Sequence, residues 1–153
     1  SVNTVKSAKE YCDQNKIPYE EVTVTNSSEV KQAAETLAGK VDGIFIPNDS
    51  VIQSAMTTVT EVARDKKIPV YGSSKAMVLS GAFATVAISD TKIGKLTAQM
   101  GLKYLKDGTT VKDIPSVVVP AEETVINQNT LDALGVTVPD DIKNSAIIVN
   151  DAE

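Results

Sequence analysis

Short apolar runs that end in polar residues recur along the chain, and a helical pattern follows each of them. The clearest run, 43–46, is too short for a helix, is bounded by Gly and Pro, and predicts a strand buried on both faces. The polar residues Asn48, Asp49 and Ser50 follow it. A wide apolar stripe over 50–66 then predicts one continuous helix. A buried strand therefore leads through a polar segment, which we call an elbow, into a helix.

Two further units repeat this pattern. Residues 69–72 predict a strand that ends in Ser73 and Ser74, and 83–88 predict a strand that ends in Ser89 and Asp90. A short turn or helix follows the second elbow, and a helix over 91–106 follows the third. Parallel strands bring their carboxyl ends to one edge of a sheet, where α/β proteins bind ligands. One elbow is equally well explained as a helix N-cap, whereas three on one edge favour a binding crevice.

The remaining pattern completes an α/β prediction, an open and mainly parallel sheet flanked by helices. Helices are predicted up to Asn15, from a capping box at Asn26 and Glu29, and after an Asn127 cap. Additional strands are predicted at 19–24, 116–119 and 124–126, and the apolar tail 146–149 has no assigned position. Since a strand normally precedes a helix in such a pattern, the opening helix suggests the later part of a longer protein.

Composition narrows the functions. The 153 residues are 42% hydrophobic and 23% charged, which suits one domain or one and a part. A net charge of −5 without a Lys/Arg cluster argues against nucleic acid as a partner. The chain has no His and only Cys12, which argues against a usual zinc site and against a Ser-His or Cys-His pair. No phosphate-binding loop motif is present, and no cofactor, metal or catalytic residue is predicted.

Taken in order, several segments resemble the second half of ABC-transporter substrate-binding proteins, in the group that includes tryptophan- and tyrosine-binding lipoproteins. The matching residues are 1–5, 41–49, 68–71, 87–90 with Gly94, and 126–127 leading to 133–139. The resemblance implies a periplasmic-binding-protein-like (type I) lobe whose upstream partner lobe is largely missing. It also implies a cell-surface lipoprotein or periplasmic protein.

The resemblance also implies a domain organisation and a site. Residues 1–89 would belong to the second lobe, 90–116 to the first lobe, and 117–153 to the second lobe again. An amino-acid-like solute would be trapped between the lobes by hinge closure and delivered to an ABC permease. The implied ligand contacts lie at Asn3, Asn48, Asp49, Ser73, Ser74 and Asp90. Together with Ser50 of the first elbow, these are the candidate ligand-binding residues.

Two other functions fit the pattern. A flavodoxin-like signalling or Mg²⁺-dependent domain would use the pair Asp49 and Asp90. A regulatory sugar-binding domain would share the architecture. If the helix over 91–106 belongs to another lobe, its apolar stripe lacks a partner here, and we expect self-association through that stripe. The stripe consists of Ile93, Leu96, Met100 and Tyr104.

Overall fold

The structure, a computed structural model, describes residues 2–152. Its helices are α1 (Val2–Asn15), α2 (Ser27–Ala38), α3 (Ser50–Ser54), α4 (Met56–Asp65), α5 (Lys75–Leu79), α6 (Asp90–Leu105), α7 (Gln128–Leu134) and α8 (Asp140–Ser145), with a 3-10 turn at Val111–Asp113. Its strands are β1 (Ile44–Phe45), β2 (Val70–Tyr71), β3 (Ala84–Ala87), β4 (Glu123–Asn127) and β5 (Ile147–Val149).

The five strands form one sheet in the order β1-β2-β3-β4-β5. Strands β1, β2 and β3 are parallel neighbours, β4 runs antiparallel to β3, and β5 runs parallel to β4. Because three of the four pairings are parallel and helices flank the sheet, the predicted mainly parallel α/β architecture is confirmed. The tail that the sequence left unassigned is the edge strand β5.

The two faces of the sheet differ in how well they are covered. On the first face, Ile44, Ile46 and Val70 pack with residues of α2, α4 and α5 in one apolar cluster. The second face has a smaller cluster in which Phe83 and Ile126 pack with α7. This smaller cluster leaves the β1 side of the second face open to solvent.

The prediction that 43–46 is buried on both faces is therefore wrong. Ile44 is 7% exposed, whereas Phe45 is 50% exposed on the second face. Tyr71 and Val86 lie on the same face and are 43% and 60% exposed. An apolar run predicts burial only where a layer of structure covers each face, and no described helix covers this part of the sheet.

Two predicted strands, 19–24 and 116–119, are also wrong. Both segments lack strand structure and are largely exposed, with Val118 at 91%. Their β-favouring residues have no neighbouring strand with which to pair among residues 2–152. Strand propensity expresses the fit to a pleated neighbour and does not act alone.

One helix interior and one helix start differ from the sequence prediction. The continuous helix predicted over 50–66 is divided at Ala55, whose φ of −110° lies outside the helical range. At the capping box, the Asn26 side chain accepts from the Ser28 N–H rather than from the Glu29 N–H. The Glu29 carboxylate accepts instead from the Thr25 N–H at 2.8 Å, and this bond is the first cause of its lowered pKa.

The segment from residue 88 to residue 121 lies outside both apolar clusters. It contains α6 and the 3-10 turn, and none of its residues is buried. Lys92 and Glu122 form an ion pair of 2.9 Å at its base. Because this amphipathic helix buries nothing, its apolar stripe has no partner among residues 2–152.

A polar network fixes the C-terminal tail at the end of the sheet opposite the elbows. The Arg64 guanidinium donates to both carboxylate oxygens of Asp151, at 2.9 and 2.7 Å, and to Thr130 Oγ1. Asn127, which is fully buried, donates to Asp151 Oδ1 at 2.8 Å and to the Val78 carbonyl at 2.7 Å. These bonds tie β5 to α4 and to the start of α7.

Candidate functional site

The three elbows lie at one edge of the sheet, at the carboxyl ends of three neighbouring parallel strands. The first elbow (residues 48–50) follows β1, the second (73–74) follows β2, and the third (89–90) follows β3. Adjacent strands are about 4.8 Å apart, so each elbow lies beside the next. The topology thus places the predicted elbows together on one edge, although it does not by itself assign a ligand to them.

Each elbow uses one side chain to cap the helix that follows. Asp49 Oδ1 accepts from the Val51 N–H at 3.0 Å and from the Ile52 N–H at 3.3 Å. Ser74 Oγ accepts from Met77 N–H, and Ser89 Oγ accepts from Lys92 N–H, both at 3.3 Å. The simpler interpretation of the elbows, that one residue is a helix N-cap, therefore holds in all three of them.

The polar residues beside the caps differ in how far they are engaged by the rest of the described chain. Asn48, Ser50 and Asp90 are exposed, and none of their side chains makes a hydrogen bond or ion pair within residues 2–152. Ser73 is half-buried, with its Oγ 3.8 Å from the Met77 sulfur. Each elbow thus combines one capping side chain with at least one further polar side chain at the same edge.

A close contact under the second elbow holds Ser73 and Ser74 in place. A Cβ atom added to Gly72 would lie 2.7 Å from Met77 Cβ, which is too close for any larger residue without a shift of the backbone. Met77 is fully buried, and the Gly72 N–H donates to the Ala84 carbonyl at 3.0 Å. The sequence shows Gly72 only as a strand end, so this packing role could not be predicted from it.

Asn3 stands apart from the other candidates. It is exposed on α1, and within residues 2–152 it makes no hydrogen bond to any elbow. Helix α1 has no buried residue, and Lys9 connects it to Glu21 through an ion pair of 2.6 Å. The Glu21 carboxylate is the main cause that raises the pKa of Lys9.

An apolar groove on the second face of the sheet is a feature that the sequence analysis missed. It has a volume of about 630 Å³ and runs from Phe45 and Tyr71 to Val138 and Ile142. Tyr71 and Phe83 make an edge-to-face contact there, with ring centroids 5.7 Å apart. The sequence predicts strands at Phe45 and Tyr71. It does not show that this face of the sheet lacks a covering helix among residues 2–152, because that depends on tertiary packing.

The arrangement suits noncovalent binding of a small polar molecule. Hydroxyl, amide and carboxylate groups alternate along the edge, so both a cationic and an anionic group of one ligand would find a partner.

Within residues 2–152, no three His, Cys, Asp or Glu side chains are grouped closely enough to hold a metal ion. None of the described helices has the length and apolarity needed to cross a membrane.

Comparison with known proteins places this edge in context. The sequence profile of the family described as ABC transporter substrate binding protein matches residues 1–150. The chain is 37% identical over 130 residues to the Tyrosine-binding protein of Clostridioides difficile, a match that covers 85% of this chain and 37% of that protein.

Solved structures show the same fold. An ABC domain from Streptococcus pneumonia in complex with L-Trp is similar with a TM-score of 0.82 and 29% identity, over 96% of this chain and 50% of that chain. A ligand-free, open substrate-binding protein with adhesive properties from Clostridium difficile matches with a TM-score of 0.81 and 32% identity, over 99% and 52%.

The chain spans about half the length of these solved proteins. Its match covers 37% of the length of the curated relative. The matched region nevertheless takes in the whole sheet and all three elbows. The chain belongs to the family of ABC transporter substrate-binding proteins.

Proposed function

We propose that this chain is one lobe of a solute-binding protein and that its three elbows form half of the ligand site. The observation that carries the proposal is the placement of three elbows at the carboxyl ends of adjacent parallel strands, each with a second polar side chain beside its cap. This is the edge at which open α/β sheets bind ligands.

An amino acid is the ligand that fits the free groups best. Asp90 is exposed and free of partners within residues 2–152, so its carboxylate is available for the ammonium group. Asn48 and Ser73 supply donors for the ligand carboxylate. Asp49 is the weaker candidate for the ammonium, because one of its oxygens already accepts two backbone N–H groups.

The side chain of the ligand is proposed from the relatives. One relative is named for binding tyrosine, and one solved neighbour holds L-Trp. We therefore propose an aromatic amino acid for this chain. The aromatic contacts would come in part from the other lobe, since the elbows themselves carry no aromatic side chain.

The segment 88–121 lies outside both apolar clusters, which is expected if the chain crosses to the other lobe and returns. Residues 90–116 would cross to the other lobe and bury the stripe of α6 there, while 1–89 and 117–153 form the lobe described above. The hinges lie near Ser89-Asp90 and near 114–116. Hinge closure would remove the ligand from water, and an ABC permease at the membrane would then receive it. The protein would act outside the cytoplasmic membrane and would bind its ligand without turnover.

Calorimetric titration of the full-length protein with L-tyrosine and L-tryptophan tests this proposal. Asp90→Asn removes the charge that pairs with the ligand ammonium, so we expect binding to weaken roughly 30-fold, equivalent to about 2 kcal/mol. Asp65→Asn is the matched control, because Asp65 ends α4 at the opposite end of the sheet. Equal affinities for the two variants would refute the assignment of Asp90.

A further inference from the structure

Met77 contacts all three residues of the segment 72–74, which joins the end of β2 to the second elbow. Its N–H donates to Ser74 Oγ at 3.3 Å, and its sulfur lies 3.8 Å from Ser73 Oγ. Its Cβ packs so closely under Gly72 that a Cβ atom added to Gly72 would be 2.7 Å from it. Because Met77 is fully buried, one core side chain supports the whole second elbow.

The Ser73 hydroxyl has one hydrogen to donate, and the Met77 sulfur is its only hydrogen-bond partner within residues 2–152. A thioether sulfur is a weak acceptor, whereas a carboxylate oxygen accepts a short, charge-assisted bond that is roughly twice as strong as a neutral one. The hydrogen can turn about the Cβ–Oγ bond while the oxygen stays where it is. A carboxylate at this edge would therefore replace the sulfur as acceptor without moving Ser73.

A weak acceptor suits a ligand contact better than either alternative. A serine side chain without an acceptor exchanges among staggered rotamers, and a ligand must then order it on binding. A serine that donates to a protein carboxylate is ordered, but the ligand must compete with an acceptor as strong as its own. The Met77 sulfur orders Ser73 and gives way to a stronger acceptor. The exposed side chains of Asn48, Ser50 and Asp90 have no such orienting partner within residues 2–152.

We propose that Met77 is a positioning residue for ligand binding: its sulfur holds the Ser73 hydroxyl in one orientation and releases it to the carboxylate of the bound amino acid. The release step rests on the function proposed above, in which Ser73 donates to that carboxylate. The orientation of Ser73 by the sulfur is a property of the ligand-free protein and is independent of which ligand binds. Two measurements therefore test the orientation and the release separately.

The rotamers of Ser73 in the ligand-free full-length protein test the orientation. Met77→Leu is the variant to compare, because leucine keeps the Cβ and nearly the same apolar volume but has no acceptor. Three-bond couplings measured by NMR report the χ1 angle of Ser73. We expect one rotamer in the parent protein and averaging among the staggered rotamers in Met77→Leu. A single Ser73 rotamer in both proteins would show that packing alone orients it, and would overturn the proposal.

Calorimetric titration of the same proteins with L-tyrosine tests the release. Met77→Leu should weaken binding about fivefold when Ser73 is present, and should have no effect in a Ser73→Ala background, since the hydroxyl is then absent. Met56→Leu replaces another buried methionine of the same apolar cluster, so it is the matched control and should leave the affinity unchanged. An equal loss from Met77→Leu in both backgrounds would mean that Met77 acts through packing, and the proposal would fail.

The single variant Ser73→Ala distinguishes failure of this proposal from failure of the proposed function. Weaker binding of L-tyrosine by Ser73→Ala supports a ligand contact at Ser73. Unchanged binding removes Ser73 from the ligand site and overturns the release step. If the parent protein binds neither L-tyrosine nor L-tryptophan, the proposed function itself is contradicted, and the ligand-free rotamers of Ser73 still decide whether the Met77 sulfur orients it.

Discussion

At the scale of single residues, the elbows show how one short sequence serves a fold and a site together. Asp49, Ser74 and Ser89 stabilise helix starts by accepting backbone N–H groups, which is worth about 1 kcal/mol for each cap. Their neighbours Asn48 and Asp90 have no such structural use within residues 2–152. Because one residue caps a helix while its neighbour is exposed, the edge is held in place and still presents polar groups to solvent.

The Arg64–Asp151 pair gives a pH dependence that can be measured. Hydrogen bonds from Arg64, and then from Asn127, hold the pKa of Asp151 below its usual range, against the opposing effect of burial. A lowered pKa in the folded state means that the stabilisation is present above the unfolded-state pKa of about 3.9 and is lost as the pH falls through the folded-state value.

The comparison to make is urea unfolding of the parent chain and of Asp151→Asn between pH 7 and pH 3. Since the Asp151 side chain is 39% exposed, we expect a difference of only about 1 kcal/mol at pH 7 that disappears toward pH 3. Asp141→Asn on the exposed surface of α8 should show no such trend. A difference that is constant with pH would mean that the charge of Asp151 is not the cause.

The residue types predicted where the elbows lie, but not which group each elbow side chain contacts. Asn, Asp and Ser after apolar runs were visible in the sequence, and so were the Asn127 cap and Gly135, which adopts a φ of 68° at the end of α7. The sequence could not tell a cap from a ligand contact, because both use the same side chains. It also gave no signal for Arg64 and Asp151, which meet across 87 positions.

At the scale of elements, the predicted strands that formed are those with a pairing strand among residues 2–152. β1, β2 and β3 pair with one another, and the sequence pattern predicted the existence of all three, whereas their order in the sheet comes from the structure. The segments 19–24 and 116–119 have strand-like composition but no strand beside them in the described part of the chain, and neither forms one. β5 was missed for the opposite reason, since its three residues are ordered by pairing with β4 rather than by a strong pattern.

The exposed apolar stripe of helix α6 leads to a prediction about self-association. Ile93 and Tyr104 are 41% and 53% exposed, and no residue of α6 is buried. Burial of such a stripe gains about 25 cal/mol for each Å² removed from water, so the 153-residue chain should self-associate. Light scattering over a concentration series should show oligomers of this chain and a monomer for the full-length protein.

A charge on the stripe provides the control for this prediction. Ile93→Lys should shift the 153-residue chain toward the monomer, whereas Ala98→Lys, about 140° around the helix, should not. If the unmodified short chain remains monomeric at high concentration, the apolar stripe of α6 is not an association surface, and its assignment to another lobe loses its main support.

At the scale of the whole molecule, two features belong together: an edge with exposed polar groups and a segment that leaves the core. Each describes an interface that residues 2–152 do not complete by themselves. The two-lobed architecture that we propose would complete both, with the ligand between the lobes and α6 buried in the first lobe. The chain's family and its sheet are established by the comparisons and the structure, and the two-lobed assembly is our proposal.

The central claim is that the elbow edge binds an amino acid, and an NMR titration of the isotope-labelled full-length protein with L-tyrosine tests it most directly. Saturable shifts of the backbone amides of Asn48, Ser73 and Asp90 are the predicted result, with little change at Asp65 and Asp151 on the far edge. Shifts confined to the groove at Phe45 and Val86, or no saturable shift at any elbow with L-tyrosine or L-tryptophan, would contradict the account.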